Sequence, residues 1–254
     1  MNPWYIESFG QEYLSLYPHR DLAEARADVD ALIDLIAPEK DEPLLDLACG
    51  AGRHLLALHA AGFSRLVGLD LSADLLAAAA EQLNGREGVE LVQADMREIP
   101  YKDHFATVLS LFTSFGYFED EAEDRSVLTE VYRALRPGGV FLIDTLNRDF
   151  VIDRLVAKEE RFLSGRSLQI ERRLSADRRY VEKRTRVIEP DGEARTFRES
   201  VRMYTGDDLE GMLQSAHFTD VRRYGSLCCE AHCSTSGRLI MVARKEERCD
   251  GFQG

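Results

Sequence analysis

The sequence has no apolar run approaching the roughly 20 residues that a membrane-spanning helix needs. Its first residues, Met1-Asn2-Pro3-Trp4-Tyr5, lack the basic and then apolar pattern of a secretory signal. No membrane partner is expected, and a cytoplasmic location follows by default. Positive charge is in deficit, with 32 Lys and Arg against 45 Asp and Glu and a net charge of −13. A dedicated nucleic-acid binder usually carries a basic footprint, so nucleic acid is not the expected partner, although a local basic patch stays open. Cysteine is sparse and odd in number: Cys49, Cys228, Cys229, Cys233 and Cys249. Such a set does not suggest a secreted disulfide framework. Cys228, Cys229, His232 and Cys233 cluster, but their spacing fits no standard zinc pattern and a second ligand pair is missing, so no metal is expected. There is no internal repeat. What remains is an ordinary globular composition, 254 residues with 44% hydrophobic. That length fits one large α/β domain, or a core with an added lobe, and buries a sizeable core.

Two further absences narrow the central motif. Residues 44–54 read Leu-Leu-Asp-Leu-Ala-Cys-Gly-Ala-Gly-Arg-His, an apolar run that ends in a carboxylate and a glycine pair, followed at once by a helical pattern. That is a buried strand turning sharply into a helix beside a ligand. Gly50 and Gly52 carry no Cβ, so backbone can come close to something bound, with the backbone amides and the positive end of the next helix facing it. A dinucleotide fingerprint wants a third glycine where Ala48 stands, and a phosphate loop wants a Gly-Lys-Ser/Thr that is not there. Asp46 would repel a pyrophosphate but can accept a hydrogen bond from an ammonium group. A tight structural turn is the plain alternative.

Two more apolar runs end in acids. Residues 65–70 end in Asp70, about twenty residues past the glycines, where an acid can hold both hydroxyls of a ribose. Residues 89–96 end in Ala94-Asp95-Met96. Three strands with a carboxylate at each carboxyl end make a rim for a nucleoside.

With these residues the chain resembles the class I, Rossmann-like methyltransferases that depend on S-adenosylmethionine. The parts are DLACGAG (46–52), GLDLS (68–72), QADM (93–96) and LRPGGVFLID (135–144), spread over 44–147 with a weaker continuation to 244. Two departures are visible: Ala48 replaces a glycine, and no acid follows Phe105. The resemblance implies a seven-stranded, mostly parallel sheet with helices on both faces. It implies S-adenosylmethionine as cofactor, held by Asp46 (methionine ammonium), Ala48, Gly50 and Gly52 (close turn), Asp70 (ribose), Leu71 (adenine face), Asp95 (adenine amino group), Met96 (beside the ring) and Leu111 (backbone near the methionine). It also implies an N-terminal cover, with Tyr17 and Arg20 as contacts, and Tyr117 as the catalytic candidate near the acceptor. An aromatic plug against water is the other reading of Tyr117, and a packed amphipathic helix the other reading of residues 2–20.

The rest of the chain follows helical and alternating patterns. A helix is expected over 21–37, where Leu22, Ala25, Val29, Leu32, Ile33 and Ile36 recur at three and four, and others over 52–61 and 121–135. Ser72 and Thr205 stand as helix caps with acids in the turn that follows. His54 and His59 read as surface or packing residues. Strands are expected at 105–112, 140–144, 217–221 and 238–244, with a turn at 136–139. Residues 160–203 depart from a minimal core and read as an inserted three-stranded antiparallel meander, over 167–175, 180–188 and 195–203, with a Pro190-Asp191-Gly192 turn. Domain divisions expected are a helical cover over 1–37, a cofactor-binding core over 38–159 and 204–245, the insert, and a disordered tail over 246–254. From 166 to 202 the insert carries eleven basic and seven acidic residues. It reads as a solvated face, a cover for the acceptor pocket, an oligomer contact, or a patch for an anionic acceptor.

Methyl transfer from a sulfonium needs alignment and dryness rather than a metal, and alignment alone is worth roughly 7–11 kcal/mol. A small-molecule acceptor, and within that class an amine, is the leading expectation, with a homodimer open. The rivals are an RNA or protein methyltransferase docking through the basic insert, a cofactor-binding regulator without turnover, and an NAD(P)-dependent oxidoreductase. The missing third glycine and the strand-end acids argue against the last.

Overall fold

The structure, a computed structural model, describes residues 3–10 and 22–247. Among the described residues there are seven helices: α1 (Trp4–Ser8), α2 (Leu22–Ile36), α3 (Arg53–Ala60), α4 (Ala73–Gln82), α5 (Glu121–Ala134), α6 (Arg148–Arg154) and α7 (Gly206–Ser215). The strands are β1 (Leu44–Leu47), β2 (Leu66–Asp70), β3 (Val89–Gln93), β4 (Phe105–Ser110), β5 (Leu135–Leu146), β6 (Lys158–Leu163), β7 (Arg166–Leu174), β8 (Tyr180–Ile188), β9 (Ala194–Arg202), β10 (Thr219–Tyr224) and β11 (Arg238–Arg244).

Seven of them form one sheet in the order β10-β11-β5-β4-β1-β2-β3. Pairing is parallel from β5 across to β3, and β11 runs antiparallel to both β5 and β10. β1 and β2 are buried at every position, as strands covered on both faces must be, which is why they read as nearly continuous apolar runs. Alternate side chains of β1 feed two cores. Leu45 and Leu47 join the apolar faces of α5 and α7, and Leu44 joins those of α2, α3 and α4. β1 lies between β2 and β4, so successive crossovers diverge on either side of it and leave a crevice at the strands' carboxyl ends. The Rossmann-like sheet expected from the sequence is thus the sheet observed.

Local chemistry sets the helix starts around that crevice. Ser72 Oγ accepts from the Leu75 amide at 3.3 Å, Asp120 accepts from the Ala122 amide at 2.9 Å, and Thr205 with Asp208 closes a reciprocal capping box at α7.

Three expectations need correction. The insert is a four-stranded antiparallel sheet in the order β6-β7-β8-β9, not three-stranded. β6 reads Lys-Glu-Glu-Arg-Phe-Leu, a charged stretch with low strand preference that only pairing with β7 makes extended. Residues 136–139, expected as a turn before the fifth strand, lie within β5. Phe105 and Thr107 pair with Leu135 and Val140, so the intervening residues swell outward as an irregularity, with Gly138 at φ +76°. The fourth strand stops at Ser110 rather than 112, because Phe112 and Thr113 turn left-handed at φ +58° and +66°. No helix among the described residues is long and apolar enough to cross a membrane. Most of the expected tail lies outside the described residues.

Candidate active site

A cavity of about 1550 Å3 opens at the carboxyl ends of β1 to β4 and is lined from both sheets. It is walled by the glycine turn, by Asp70 and Asp95, by residues 111–114, by α1, and by the inner face of the second sheet.

The glycine turn supplies closeness more than donors. Ala48, Gly50 and Gly52 all sit at positive φ, of +60°, +56° and +79°. Ala48 therefore takes a backbone shape that glycine adopts freely and that costs an L side chain roughly 1–2 kcal/mol. A Cβ on Gly50 would point into open space, so the backbone there borders the cavity bare. A Cβ on Gly52 would come to 3.1 Å from the Ala79 side chain, which is the packing that lets α3 start here. Three amides of the turn are used within the protein: Cys49 donates to the Leu69 carbonyl at 3.0 Å, Gly50 to Asp70 at 2.8 Å, and Gly52 to the Cys49 carbonyl at 3.0 Å.

Asp46, at the end of β1, is 2% exposed and lines the cavity, and its Oδ2 has no hydrogen-bond partner among the described residues. Burial pushes its carboxyl up to about 6; nearby Asp70 adds to this, while His54 and Arg53 oppose it. One turn away, Arg53 pairs with Glu24 at 2.5 Å through Nη1, and its Nη2 is buried without a partner among the described residues. Its guanidinium lies 4.5 Å from the Phe112 ring centre. A carboxylate oxygen and a guanidinium nitrogen, each without a partner among the described residues, thus belong to residues that line the same cavity. That is the donor–acceptor pair an α-amino acid zwitterion would satisfy.

Asp70 is buried and accepts from two amides, Gly50 and Ser72, at 2.8 and 2.9 Å. Burial raises its carboxyl above the usual range while those amides and that of Leu71 pull it back. Leu71, beside it, keeps 39% of its surface exposed and lines the cavity. Asp95 is gripped by Arg97, which donates through Nε at 3.0 Å and Nη2 at 2.5 Å. Burial raises its carboxyl, but the bonds to Arg97 prevail and hold it below the ordinary value. Arg97 also bonds Glu123 and lies over the Phe118 ring. Met96 and Leu111 line the same cavity, and Ser114 Oγ donates to the Leu111 carbonyl at 2.9 Å.

Tyr117 is packed rather than isolated. Trp4 and Phe9 lie 5.2 and 5.5 Å from its ring, and Trp4 Nε1 donates to its carbonyl at 3.3 Å. The described N-terminal residues are pinned on two further sides, by Ser72 Oγ to the Phe9 carbonyl at 2.7 Å and by Ser8 Oγ to the Arg198 carbonyl at 2.7 Å. Tyr17 and Arg20, the expected contacts from that segment, lie outside the described residues. His54 is buried and faces Asp28 at 3.2 Å. Cys228, Cys229, His232 and Cys233 do not converge: among the described residues, no group of three or more His, Cys, Asp or Glu side chains could hold a metal.

Sequence reasoning missed two features. One is Arg53, whose available signal is a cation directly after the glycine turn. The clamp under residues 112–113 had no local signal at all. Arg238 donates to Asp144 at 2.6 Å and to Thr113 Oγ1 at 2.8 Å, while Asp144 accepts the Phe112 amide at 3.0 Å. These contacts hold two left-handed residues in place beside the cavity, the kind of strain that functional loops keep.

Residues 44–139 match the family described as methyltransferase domain. The chain is 34% identical over 125 residues to the dTDP-3-amino-3,4,6-trideoxy-alpha-D-glucopyranose N,N-dimethyltransferase of Streptomyces venezuelae, covering 49% of this chain and 51% of that one. It is 34% identical over 136 residues to the glycine/sarcosine N-methyltransferase of Halorhodospira halochloris, covering 52% and 50%. The matches therefore span about half the length of these relatives. Among solved structures, CalS10 of Micromonospora echinaspora, an amino pentose methyltransferase with S-adenosylmethionine bound, superposes with a TM-score of 0.68 at 24% identity, over 92% of this chain and 97% of that one.

Proposed function

We infer, from a chain whose residues 44–139 are a class I, Rossmann-like S-adenosylmethionine-dependent methyltransferase domain, that the protein transfers a methyl group to an amine of a small molecule. The observation that carries this reading is a pair of buried atoms, Asp46 Oδ2 and Arg53 Nη2, on residues that line a cavity rimmed by Asp70, both without partners among the described residues. A carboxylate desolvated in this way needs a cationic donor, and an ammonium group is one.

The residues fit the cofactor part by part. Asp46 would accept from the methionine ammonium and Arg53 would donate to its carboxylate. Asp70 spends one lone pair of each oxygen on Gly50 and Ser72 and would use the others for ribose hydroxyls. Leu71 would cover the adenine, with Met96 beside the ring and Asp95 near its amino group. Ala48, Gly50 and Gly52 would let backbone approach, and Leu111 would border the methionine. Tyr17 and Arg20 are proposed to close the methionine end.

Held there by Asp46, Arg53 and Asp70, S-adenosylmethionine would supply an electrophilic sulfonium methyl for the lone pair of an acceptor amine. The chain's task is to align that amine and keep water out. Tyr117, stacked on Phe9 and met edge-on by Trp4, serves the second part and offers its ring to the acceptor. Both curated relatives named above methylate nitrogen, by their names, which supports an amine as the acceptor.

The test is titration of the protein with S-adenosylmethionine, followed by transfer of labelled methyl into a nuclease-treated, size-sorted cell extract. Saturable binding and label in small amines are expected. Label in RNA or protein, or binding without transfer, would overturn the reading.

A further inference from the structure

The cavity is larger than one ligand requires. Pockets for a single drug-sized molecule run roughly 300–1,000 Å3, so about 1550 Å3 leaves room for a second molecule beside a nucleoside. Its two walls differ in sign. The strand-end side contributes Asp46, Asp70, Asp74 and Asp95 against Arg53 and Arg238, a net negative wall. The facing wall contributes Arg161, Arg172 and Lys183 from the second sheet and Arg154 from α6, against Glu159 and Glu199.

Within that wall the charges form a row fixed by strand register. Arg172 stands directly opposite Lys183, and Lys183 directly opposite Glu199. Glu159 bonds Arg172 at 2.9 Å from the outer side of one cation, and Glu199 bonds Lys183 at 2.9 Å from the outer side of the other. The order across the sheet is acid, base, base, acid. Two like charges directly opposed on neighbouring strands destabilise a sheet. Here the pair lies on the inner face, with Val181 and Val201 at the adjacent register positions and lining the same cavity. Arg172 also donates to the Val156 carbonyl at 3.3 Å. A guanidinium has five N–H donors, so its two bonds leave donors for a third acceptor. A negatively charged oxygen group seated against both cations would relieve their repulsion and use those donors.

We propose that the methyl acceptor carries, apart from its amine, an oxyanion (a phosphate or a carboxylate), seated by Arg172 and Lys183 on the inner face of the second sheet. This rests on the methyltransferase reading above, and it makes Arg172 and Lys183 specificity-determining. The acidic wall then receives the cationic donor and the basic wall the anionic part of the acceptor, which keeps the two ligands from exchanging places.

The experiment uses the full chain saturated with S-adenosylhomocysteine, titrated calorimetrically with inorganic pyrophosphate and, separately, with malonate. Saturable binding of one of them is expected, pyrophosphate marking a phosphate and malonate a carboxylate. Arg172→Gln and Lys183→Gln should each weaken it at least fivefold while S-adenosylhomocysteine affinity, which also reports an intact fold, stays within twofold. Lys183→Arg, which keeps the charge, should retain the binding. Absence of saturable binding for both anions, or binding unchanged in both Gln variants, overturns the proposal. If S-adenosylhomocysteine itself does not bind the unsubstituted protein, the methyltransferase reading fails first and takes the proposal with it.

Discussion

The Asp70 carboxylate accepts the Gly50 amide at 2.8 Å across twenty positions of sequence. The acid at the end of β2 therefore braces the glycine turn at the end of β1, besides standing where ribose hydroxyls would come. Asp70→Ala removes both roles and leaves the Gly50 and Ser72 amides without their acceptor, at about 1–3 kcal/mol per buried group. Affinity for S-adenosylmethionine should fall more than tenfold, and amide exchange at Gly50 and Ser72 should accelerate. Calorimetry and hydrogen exchange read the two effects separately, and unchanged affinity would remove the ribose role.

Asp46 gives opposite pH signatures for stability and for binding. Burial raises its carboxyl to about 6 in the ligand-free fold, above the 3.8 of a free aspartate. The folded state then holds its proton to higher pH than the unfolded chain, so its contribution is present below about pH 4 and is lost as pH rises through 6. The loss is on the order of 3 kcal/mol. If Asp46 accepts from the cofactor's ammonium as proposed, that contact needs the ionised form, and affinity should instead weaken as pH falls below about 6. In Asp46→Asn, thermal melts should be flatter between about pH 4 and 7 and higher at neutral pH. S-adenosylmethionine should bind that variant at least tenfold more weakly and without the pH dependence, in calorimetric titrations across that range.

Gly68 is held small by its neighbours. A Cβ there would lie 2.4 Å from Leu55 Cδ1 and 2.9 Å from Cys49 Sγ, inside the joint between β2 and the start of α3. Gly68→Ala should therefore destabilise by about 1–3 kcal/mol, as overfilled cores do. A lowered midpoint in urea with an unchanged slope would show it, and an unchanged midpoint would show that Leu55 can yield.

A buried knot joins the end of the second sheet to α5 and to the loop at Gly116. The Tyr204 hydroxyl donates to Asp124 at 2.7 Å, Arg202 stands 3.5 Å from the same carboxylate, and the Arg202 amide donates to the Gly116 carbonyl at 2.7 Å. Asp124 has no exposed surface, and burial raises its carboxyl to about 6 against the pull of Tyr204 and Arg202. Tyr204→Phe removes the hydroxyl and keeps the ring, and should cost about 1–3 kcal/mol. Chemical denaturation measures the loss, and exchange of the Arg202 amide tells whether the loop at Gly116 loosens with it.

Much of the main sheet was legible because buried parallel strands write themselves as apolar runs, and because Asp46, Asp70 and Asp95 mark where three of those runs stop. Ser72 and Thr205 announced their helices by cap chemistry. β6 was illegible because Lys158, Glu159, Glu160 and Arg161 suggest a solvated segment, and only β7 makes them a strand. The outward swelling at 136–139 resembled a turn because proline and glycine do mark turns, while the pairing that kept it in β5 lies thirty residues away at Phe105. Arg238 could not be linked to Asp144 and Thr113 from sequence, since 94 and 125 positions separate them. The row Glu159, Arg172, Lys183 and Glu199 depends on strand register, which composition alone does not specify.

The second sheet shares no strand with the first, yet it furnishes one whole side of the cavity. If the proposed sites hold, substitutions in residues 158–202 would retune which molecules are accepted without disturbing the donor's berth. Transplanting that segment between related chains would require refitting the knot at Asp124, the perch of α1 on β9, and the bonds from Tyr180 and Arg202 to the Glu119 carbonyl and from Arg148 to the Arg178 carbonyl.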